Sequence, residues 1–269
     1  MACIAMSCNK GNVRKVNQDA CCVMEAKSSL GEIVMLVVCD GVGGLSRGEL
    51  ASSAVVNGFT QWFEQDLPQV LCHMQNGFDP TLVQRGWEQL LASLNETIRE
   101  DGLRGDALMG TTFTGLLLCG QTFVVGHVGD CRAYVVRGDA IRQVTEDQTL
   151  LERMRAEGAD GARVSQERLQ SVILQAVGTE RVLKPAFYMG RGVPGDVYVL
   201  CSDGAYKTVG TEGIRGAFAH VDPADEQSLR AVCEQVIELD IRSGETDNRT
   251  IVCASLASPL VTLEGGEQK

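Results

Sequence analysis

Two short apolar segments of this chain each end in an aspartate followed by a glycine. Residues 37–41 are Val-Val-Cys-Asp-Gly, and residues 199–204 are Val-Leu-Cys-Ser-Asp-Gly. Both runs predict buried strands. A carboxylate at the end of such a strand is costly unless a metal or another cation compensates its charge, and the following glycine lets the backbone turn sharply and approach a ligand. The two ends lie far apart in sequence, so we predict that Asp40 and Asp203 converge on one metal site.

Strand-like and helix-like patterns come in blocks along the 269 residues. Short turns between neighbouring strand segments, such as Gly138-Asp139, favour antiparallel sheets. Helices grouped between the strand blocks favour packing on sheet faces, so the pattern predicts an α+β layered domain. The predicted helices are 46–67, 81–100 and 225–243, with a charged helical insert at 148–178. The predicted strands are 2–7, 20–26, 32–39, 111–119, 121–128, 131–137, 140–144, 184–190, 196–201 and 249–256.

The composition excludes several classes of protein. With 24 Lys and Arg against 35 Asp and Glu, the net charge of −11 argues against nucleic acid or an anionic membrane as the main partner. No apolar run approaches the length of a membrane span, so we expect no membrane insertion. None of the eleven cysteines is spaced as Cys-x-x-Cys, and several lie in apolar runs. We therefore expect a cytoplasmic protein with free thiols, without a disulfide scaffold or a structural zinc site.

Three further aspartates stand beside Asp40 and Asp203 as candidate ligands: Asp19, Asp130 and Asp247. Each of the five alone also fits an ordinary turn or cap, because turns favour Asp. Turn chemistry does not explain why an Asp-Gly pair twice follows a fully apolar run. Ligation by carboxylates alone suits the hard cations Mg²⁺ and Mn²⁺, and two such ions roughly 3.5–4 Å apart can share a hydroxide that attacks phosphorus in line. Arg14 fits either a clamp on phosphate oxygens or an ordinary surface arginine.

Seven motifs follow one another along the chain. They are Arg14-x-x-Asn17-Gln18-Asp19, Asp40-Gly41-Val42-Gly43-Gly44 with Gly48-Glu49-x-Ala51-Ser52, Gly110-Thr111-Thr112, Val128-Gly129-Asp130-Cys131-Arg132, Gln175-Ala176-Val177-Gly178, Ser202-Asp203-Gly204 and Asp247-Asn248-x-Thr250. In this order, from about Ile4 to Leu256, they resemble the motifs of bacterial metal-dependent protein phosphatases of the PPM (PP2C-like) family. The resemblance implies a four-layer α-β-β-α sandwich of two antiparallel sheets flanked by helices, with a small helical flap subdomain. It places the phosphatase domain at residues 1–258, the flap at about 148–180 and a polar C-terminal tail at 259–269.

The resemblance also implies an activity and a role for each matched residue. The family hydrolyses phosphoserine and phosphothreonine in proteins, using a hydroxide that bridges two Mn²⁺ or Mg²⁺ ions. By this similarity, Asp40 bridges both ions, the Gly41 carbonyl binds one of them, and Asp203 and Asp247 hold one ion on the far side of Asp40. Asp19 orients metal-bound water, and Asp130 helps to hold a third, weaker ion. Arg14 binds the substrate phosphate. Phosphorylated proteins and a cognate Ser/Thr kinase are the expected partners of a monomeric enzyme.

Three positions depart from the family pattern. Val42 stands where some members have a histidine proposed to protonate the leaving alkoxide, and valine cannot donate a proton. Cys131 replaces the usual serine, and Asp147-Gln148-Thr149 replaces Asp-His-Ser before the flap. The last two changes concern flap docking and substrate preference more than catalysis.

Other functions remain compatible with parts of the pattern. A phosphoprotein-binding module of the same fold would turn over little substrate, but it would be expected to have lost Asp40, Asp203 or Asp247, and all three are present. A metal-dependent phosphodiesterase or nuclease would be expected to carry basic patches for a polyanion. A phosphatase dedicated to one partner, such as an anti-sigma-factor antagonist or a regulator of a secretion system, is not distinguished from a general enzyme by the sequence.

Overall fold

Ten strands within the described residues form two five-stranded antiparallel sheets. The computed structural model describes residues 2–42, 47–74, 77–158 and 165–256. One sheet has the spatial order β1 (Ala2–Asn9), β10 (Arg249–Leu256), β9 (Val197–Cys201), β6 (Arg132–Arg137) and β7 (Ala140–Gln143). The other has the order β2 (Asp19–Ser28), β3 (Gly31–Asp40), β4 (Phe113–Cys119), β5 (Thr122–Val128) and β8 (Ala186–Arg191).

Helices cover the outer faces of the two sheets. Helix α1 (Gly48–Gln61) continues through a π-helical turn, Trp62–Asp66, into α2 (Leu67–Cys72), and this assembly packs with α3 (Pro80–Arg104) on the β2-β3-β4-β5-β8 sheet. Helices α6 (Gly210–Phe218) and α7 (Glu226–Arg242) pack on the other sheet. Two short helices, α4 (Leu150–Ala156) and α5 (Gln166–Gln170), lie between β7 and β8 in the chain. The predicted α+β sandwich of two antiparallel sheets flanked by helices is confirmed.

Strand β3 explains why the first Asp-Gly run is apolar without alternation. Its side chains point to opposite faces in turn. Val34, Leu36 and Val38 pack between the two sheets. Ile33, Met35, Val37 and Cys39 pack instead against the helices. Both faces of the strand are covered, so every position from 33 to 39 is buried. The apolar run stops at Asp40, the last residue of the strand.

Aromatic rings fill the layer beneath α1 and α3. The rings of Phe59 and Phe113 stack with centroids 4.3 Å apart, and Trp87 meets Phe113 edge-on with centroids 6.1 Å apart. Gly115 and Gly126 pair directly across β4 and β5. A Cβ atom on Gly126 would lie 3.0 Å from the Trp87 ring, so this glycine leaves room for the indole.

Most predicted elements are found within two to four residues of their predicted bounds, and two differences have clear causes. The helix predicted to end at Leu67 runs on to Cys72, because the π-helical turn at Trp62–Asp66 lets the helix continue in a shifted register. Helix α6 was not predicted, since Gly210, Gly213 and Gly216 weaken its helical signal. The predicted start at Ser46 and the polar tail at 259–269 lie outside the described residues. In the described part of the chain, no helix is long and apolar enough to cross a bilayer.

Candidate metal centre

Asp19 and Asp40 lie side by side on neighbouring strands of one sheet. Asp19 begins β2 and Asp40 ends β3, and the two are directly paired in the strand register. Two threonines fix the backbone of Asp40: its N–H donates to Thr112 Oγ1 at 2.8 Å, and its carbonyl oxygen accepts from Thr111 Oγ1 at 2.9 Å and from the Thr112 N–H at 2.8 Å. The predicted strand-end position of Asp40 is therefore held rigidly from the β4 side.

Asp203 and Asp247 come to the same place from the other sheet. Asp203 starts a 3₁₀ turn directly after β9, and Asp247 lies just before β10, the neighbour of β9. After burial, which is the largest cause, the charges of Asp203 and Asp247 are among those that raise the pKa of Asp40, so these carboxyl groups lie near one another. Asn248 ties the N-terminal loop to this corner, because its Oδ1 accepts from the Gln18 N–H at 2.8 Å and its Nδ2 donates to the Lys10 carbonyl at 2.7 Å.

The glycines that follow the two strand-ending aspartates are both required by a passing backbone. A Cβ atom on Gly41 would lie 2.6 Å from the carbonyl carbon of Gly48, at the start of α1. A Cβ atom on Gly204 would collide with the carbonyl oxygen of Asn248. Neither glycine has a positive φ angle. The recurring Asp-Gly pair thus reflects close approach of a second chain segment more than an unusual turn conformation.

Asp130 is held by contacts to its main chain. Gly129 before it has a φ of +100°, and its N–H donates to Gln148 Oε1 at 2.9 Å. The Tyr206 hydroxyl donates to the Asp130 carbonyl at 2.9 Å. The Tyr206 ring also stacks on the guanidinium of Arg132, with 3.7 Å between the guanidinium carbon and the ring centroid. These contacts fix the backbone around Asp130, whose side chain is buried.

Four of the five aspartates have carboxyl pKa values above the usual range. Burial is the largest cause in each case, followed for Asp40 by the neighbouring charges of Asp19 and Asp203, so that the pKa of Asp40 is raised well above its ordinary value. Burial raises the pKa of Asp19 to about 7 and that of Asp130 to about 8, and it also raises the pKa of Asp203. The protein therefore holds several carboxyl groups together without enough positive charge to keep them all ionised.

The donor set fits divalent cations by its chemistry. Oδ1 of Asp19 and Oδ1 of Asp203 are both buried without a hydrogen-bond partner, and an unpaired carboxylate oxygen at this depth is expensive unless a cation binds it. All candidate side-chain ligands are oxygens, the donors that Mg²⁺ and Mn²⁺ prefer. Within the described ranges, no three Asp, Glu, His or Cys side chains form a ready-made cage for one ion. The case for a divalent cation therefore depends on the negative charge of the cluster and on its buried, unpaired carboxylate oxygens.

Two cations border the acidic cluster. Arg14 Nη2 lies 2.6 Å from Asp247 Oδ2, and the arginine side chain is 41% exposed. Lys207 Nζ lies 3.4 Å from Asp203 Oδ2. The sequence points to Arg14 as a phosphate ligand, but no local pattern in it indicates Lys207 or the pairing of Arg14 with Asp247.

Two hydroxyl groups with no role predicted from the sequence hold the carboxylate of Asp19. Ser202 Oγ and Thr250 Oγ1 both donate to Asp19 Oδ2 at 2.8 Å. Ser202 also accepts from the Thr250 N–H at 2.9 Å, which closes the network. Their only signal in the sequence is their place within the motifs of Asp203 and Asp247.

The positions that depart from the family pattern still make local contacts. Cys131 Sγ lies 3.1 Å from Thr112 Oγ1, where a serine hydroxyl could make the same hydrogen bond. Thr149 caps α4 by accepting from the Glu152 N–H. Gln148 joins the loop of Asp130 to the segment after α5, because its Oε1 also accepts from Gln175 Nε2 at 2.8 Å. Gln148 and Thr149 thus both contact the part of the chain that lies between β7 and β8.

Known proteins resemble this chain over most of its length. The sequence profile of the protein phosphatase 2C family matches residues 12–234. The serine/threonine protein phosphatase PstP of Mycobacterium tuberculosis is 28% identical over 250 residues, which cover 92% of this chain and 44% of PstP. The serine/threonine phosphatase stp of Listeria innocua is 27% identical over 202 residues, covering 73% of this chain and 75% of stp. The chain thus spans less than half the length of PstP.

Solved structures share the architecture described above. The catalytic domain of PstP in complex with two manganese ions is 28% identical, with a TM-score of 0.74 and coverage of 96% of this chain and 99% of that domain. PppA, described as a key regulatory component of T6SS in Pseudomonas aeruginosa, is 27% identical, with a TM-score of 0.72 and coverage of 94% and 97%. Stp1 of Staphylococcus aureus shares the fold, at 23% identity with a TM-score of 0.81 and 96% coverage of each chain. Because the family profile covers far more than half of the residues, the chain belongs to the protein phosphatase 2C family.

Proposed function

We propose that this protein is a metal-dependent phosphatase that removes phosphate from phosphoserine and phosphothreonine in proteins. The observation that carries the proposal is the gathering of the motif aspartates at one end of the sandwich, where Asp19 and Asp203 each keep a buried, unpaired oxygen. Membership of the family supports the same activity, as does the relative PstP, whose catalytic domain binds two manganese ions.

The motif aspartates would hold two Mn²⁺ or Mg²⁺ ions. Asp40, Asp203, Asp247 and the carbonyl oxygen of Gly41 would hold these ions. Asp19 would orient water through the oxygen that Ser202 and Thr250 leave unbonded, and Asp130 would help to hold a third, weaker ion. The bound ions would supply activated water for in-line attack on phosphorus and positive charge for the transition state.

Arg14 would exchange one anion for another during the reaction. In the structure its guanidinium neutralises Asp247 at 2.6 Å. With Asp247 serving as a metal ligand, the guanidinium of Arg14 would be free to bind two phosphate oxygens through its planar fork. Its exposed position at the rim of the site supports contact with an incoming phosphoprotein. Since Val42 cannot give a proton to the leaving alkoxide, that proton would come from water or from another side chain.

The segment from about 148 to 180 is proposed to form a flap that influences substrate choice. It is tied to the site at both ends: Gln148 accepts from the Gly129 N–H beside Asp130, and Val177 exchanges two backbone hydrogen bonds with Thr111 beside Asp40, at 3.0 and 2.8 Å. A change in the position of this segment would therefore shift the backbone beside Asp130 and Asp40.

The proposed setting is a monomeric cytoplasmic enzyme that reverses a cognate Ser/Thr kinase. All eleven cysteines are free, which supports a reducing compartment. A dedicated regulatory role is a second candidate, favoured by the 27% identity to PppA over almost the whole chain. A phosphoprotein-binding module with little turnover is the remaining alternative.

Hydrolysis of p-nitrophenyl phosphate and of a phosphothreonine peptide tests the proposal. Each substrate is assayed with EDTA, and then with added Mn²⁺ or Mg²⁺. Activity that requires the metal, and that is lost in Asp40→Asn but kept in the exposed-turn variant Asp139→Asn, supports the phosphatase. A folded protein that binds the phosphopeptide but hydrolyses neither substrate with any metal supports the binding module.

A further inference from the structure

We propose that Glu245 is a positioning residue for Asp247: its carboxylate fixes the backbone of the turn that carries this metal ligand, and loss of the hydrogen-bond acceptor weakens Mn²⁺ binding. The effect on the metal rests on the proposed function, in which Asp247 is a ligand. The hold of Glu245 on the turn rests on hydrogen bonds alone. Glu245 lies outside the seven motifs of the sequence.

The end of α7 determines where Glu245 lies. After the helix, Gly244 adopts a left-handed conformation with a φ of +87°. Its N–H donates to the Ile241 carbonyl at 3.2 Å, and the Glu245 N–H donates to the Asp240 carbonyl at 3.1 Å. This pair of hydrogen bonds is the Schellman motif, in which glycine takes the left-handed position without steric cost. The main chain of Glu245 is therefore anchored to α7, a helix that packs on its sheet through a buried apolar face.

The carboxylate of Glu245 holds the next two residues of the chain. Its Oε1 accepts from the Thr246 N–H at 2.7 Å and from the Asp247 N–H at 3.1 Å. A hydrogen bond from a backbone N–H to an ionised carboxylate is stronger than one between neutral groups. The two bonds fix the peptide groups on the N-terminal side of Asp247, and these peptide groups determine the direction in which the Asp247 side chain leaves the backbone.

A buried arginine holds the same turn from the side of β10. Arg249 is 1% exposed, and its Nη2 donates to the Glu245 carbonyl. Gly11 packs beside both the guanidinium and the turn, because a Cβ atom at this glycine would lie 2.7 Å from Arg249 Nη1 and 2.7 Å from the Asp247 carbonyl oxygen. The turn from Glu245 to Arg249 is thus enclosed by α7, β10 and the N-terminal loop.

The other contacts of the Asp247 carboxylate do not anchor the turn to the rest of the protein in the same way. Its Oδ1 accepts from the Asn248 N–H at 2.9 Å, within the turn itself. Its Oδ2 pairs with Arg14, whose side chain is 41% exposed and is proposed to bind phosphate instead. The hydrogen bonds of Glu245 remain beside Asp247 when Arg14 changes partner.

Glu245 can influence a metal ion in two ways, and substitutions separate them. Its negative charge attracts a cation, and its oxygen positions Asp247. Glu245→Gln loses the charge but keeps a carbonyl oxygen that can accept both hydrogen bonds. Glu245→Ala loses the charge and the acceptor. Glu245→Leu also loses both but keeps a side chain of similar size, which controls for the space left by alanine.

Calorimetry with Mn²⁺ and amide hydrogen exchange in EDTA provide the test. We expect Glu245→Ala and Glu245→Leu to bind Mn²⁺ about tenfold more weakly than the wild type, the usual effect of losing a contact behind a metal ligand. Their Thr246 and Asp247 amides should exchange faster, since both lose their acceptor. Glu245→Gln should recover most of the affinity and of the protection from exchange. Thermal unfolding in EDTA checks that each variant is folded.

Asp222→Ala is the matched control. The Asp222 carboxylate is exposed and accepts from the Ala224 N–H at 2.9 Å, two residues further along the chain. This contact resembles the one between Glu245 and Asp247, but it lies before α7 rather than after it. We expect Asp222→Ala to lose a similar local hydrogen bond and to bind Mn²⁺ like the wild type.

Three outcomes would overturn the inference. Unchanged Mn²⁺ affinity in Glu245→Ala contradicts it. Equal losses in Glu245→Ala and Glu245→Gln show that the charge acts and the hydrogen bonds do not. An equal loss in Asp222→Ala shows a general effect on the fold. A wild-type protein that binds no Mn²⁺ contradicts the proposed function instead, and amide exchange still decides whether Glu245 holds the turn.

Discussion

Asp19 and Asp40 are directly paired across β2 and β3, at the end of the sheet where β2 begins and β3 ends. Two like charges in such a pair repel each other and destabilise a sheet. The protein keeps this arrangement and adds Asp203 from the other sheet, whose charge helps burial to raise the pKa of Asp40. Such a cluster of carboxyl groups is favourable only when positive charge is supplied from outside the chain.

Replacing Asp40 should separate metal binding from folding. We expect Asp40→Asn to remove nearly all phosphatase activity and to weaken Mn²⁺ binding, because the central ligand loses its charge. The metal-free variant should unfold at the same or a higher temperature than the metal-free wild type, since one of the repelling carboxylates is gone. Activity assays, calorimetry with Mn²⁺ and thermal unfolding in EDTA give the three values. Near-wild-type turnover would contradict the metal centre proposed above.

Replacing Arg14 should affect substrate binding more than turnover. If the guanidinium binds the ground-state phosphate, Arg14→Ala raises KM for a phosphopeptide more than it lowers kcat. Arg14→Lys keeps the charge but loses the two-pronged geometry, so it should restore KM only in part. Lys15→Ala, which removes the neighbouring exposed cation, serves as the control. Steady-state kinetics on one phosphothreonine peptide would decide, and an unchanged KM in Arg14→Ala would refute the role.

The hydroxyl of Thr250 should matter for metal affinity while leaving the fold intact. Thr250→Val keeps the shape of the side chain but leaves Asp19 Oδ2 with only the hydrogen bond from Ser202. We expect Mn²⁺ affinity to fall about ten- to a hundredfold, the usual effect of losing a contact behind a metal ligand. Thr250→Ser restores the hydroxyl and should recover most of the affinity. Equal Mn²⁺ binding in the valine and serine variants would show that the contact to Asp19 is unimportant.

Adding a methyl group to Gly41 should move the backbone beside Asp40. Its Cβ atom would lie 2.6 Å from the Gly48 backbone, which has no flexible side chain to move away. We expect Gly41→Ala to cost about 1–3 kcal/mol in the free energy of unfolding, as overpacked sites do, and to lower activity through displacement of Asp40. Gly216→Ala in α6 meets nothing within 4 Å and should be neutral or slightly stabilising. Denaturant unfolding of both variants makes the comparison.

His127 should make the protein less stable in mild acid. The residue is fully buried on β5, and its Nδ1 lies 2.9 Å from Thr114 Oγ1. Burial lowers its pKa to about 4, whereas an unfolded histidine has a pKa of about 6.5. Between these two pKa values, His127 is protonated in the unfolded chain and neutral in the folded chain. The contribution of His127 to stability is therefore complete above about pH 6.5 and is lost as the pH falls towards 4.

The size of this pH effect can be isolated with a variant. Over that window His127 contributes a slope of up to about 1.4 kcal/mol per pH unit. We expect His127→Gln to remove this part of the slope, so that the stability difference between wild type and variant shrinks as the pH falls from 7 to 5. Urea unfolding at several pH values measures it, once circular dichroism has shown that the variant is folded. Parallel stability curves for the two proteins would exclude a buried neutral His127.

The strands were predictable because the central ones are covered on both faces. A run such as residues 33–39 is apolar at every position whichever way the strand pairs, so its signal survives without knowledge of its neighbours. The motif aspartates were predictable as candidates for a related reason, since a charged residue that ends such a run stands out locally. Helix α6 gave a weak signal because its three glycines carry little local preference, and contacts with α7 and β7 decide its structure.

The sequence by itself determined which carboxylates are candidate ligands, the order of strands and helices, and the resemblance that names the family. Only the tertiary structure decided that Arg14 bonds Asp247 and that Ser202 and Thr250 hold Asp19. Local patterns report what a residue prefers within a few positions of itself. The partners of Arg14 and Asp19 are separated from them by most of the chain. Only the packing of the two sheets, which buries the apolar faces of both, determines which side chains meet at the end of the sandwich.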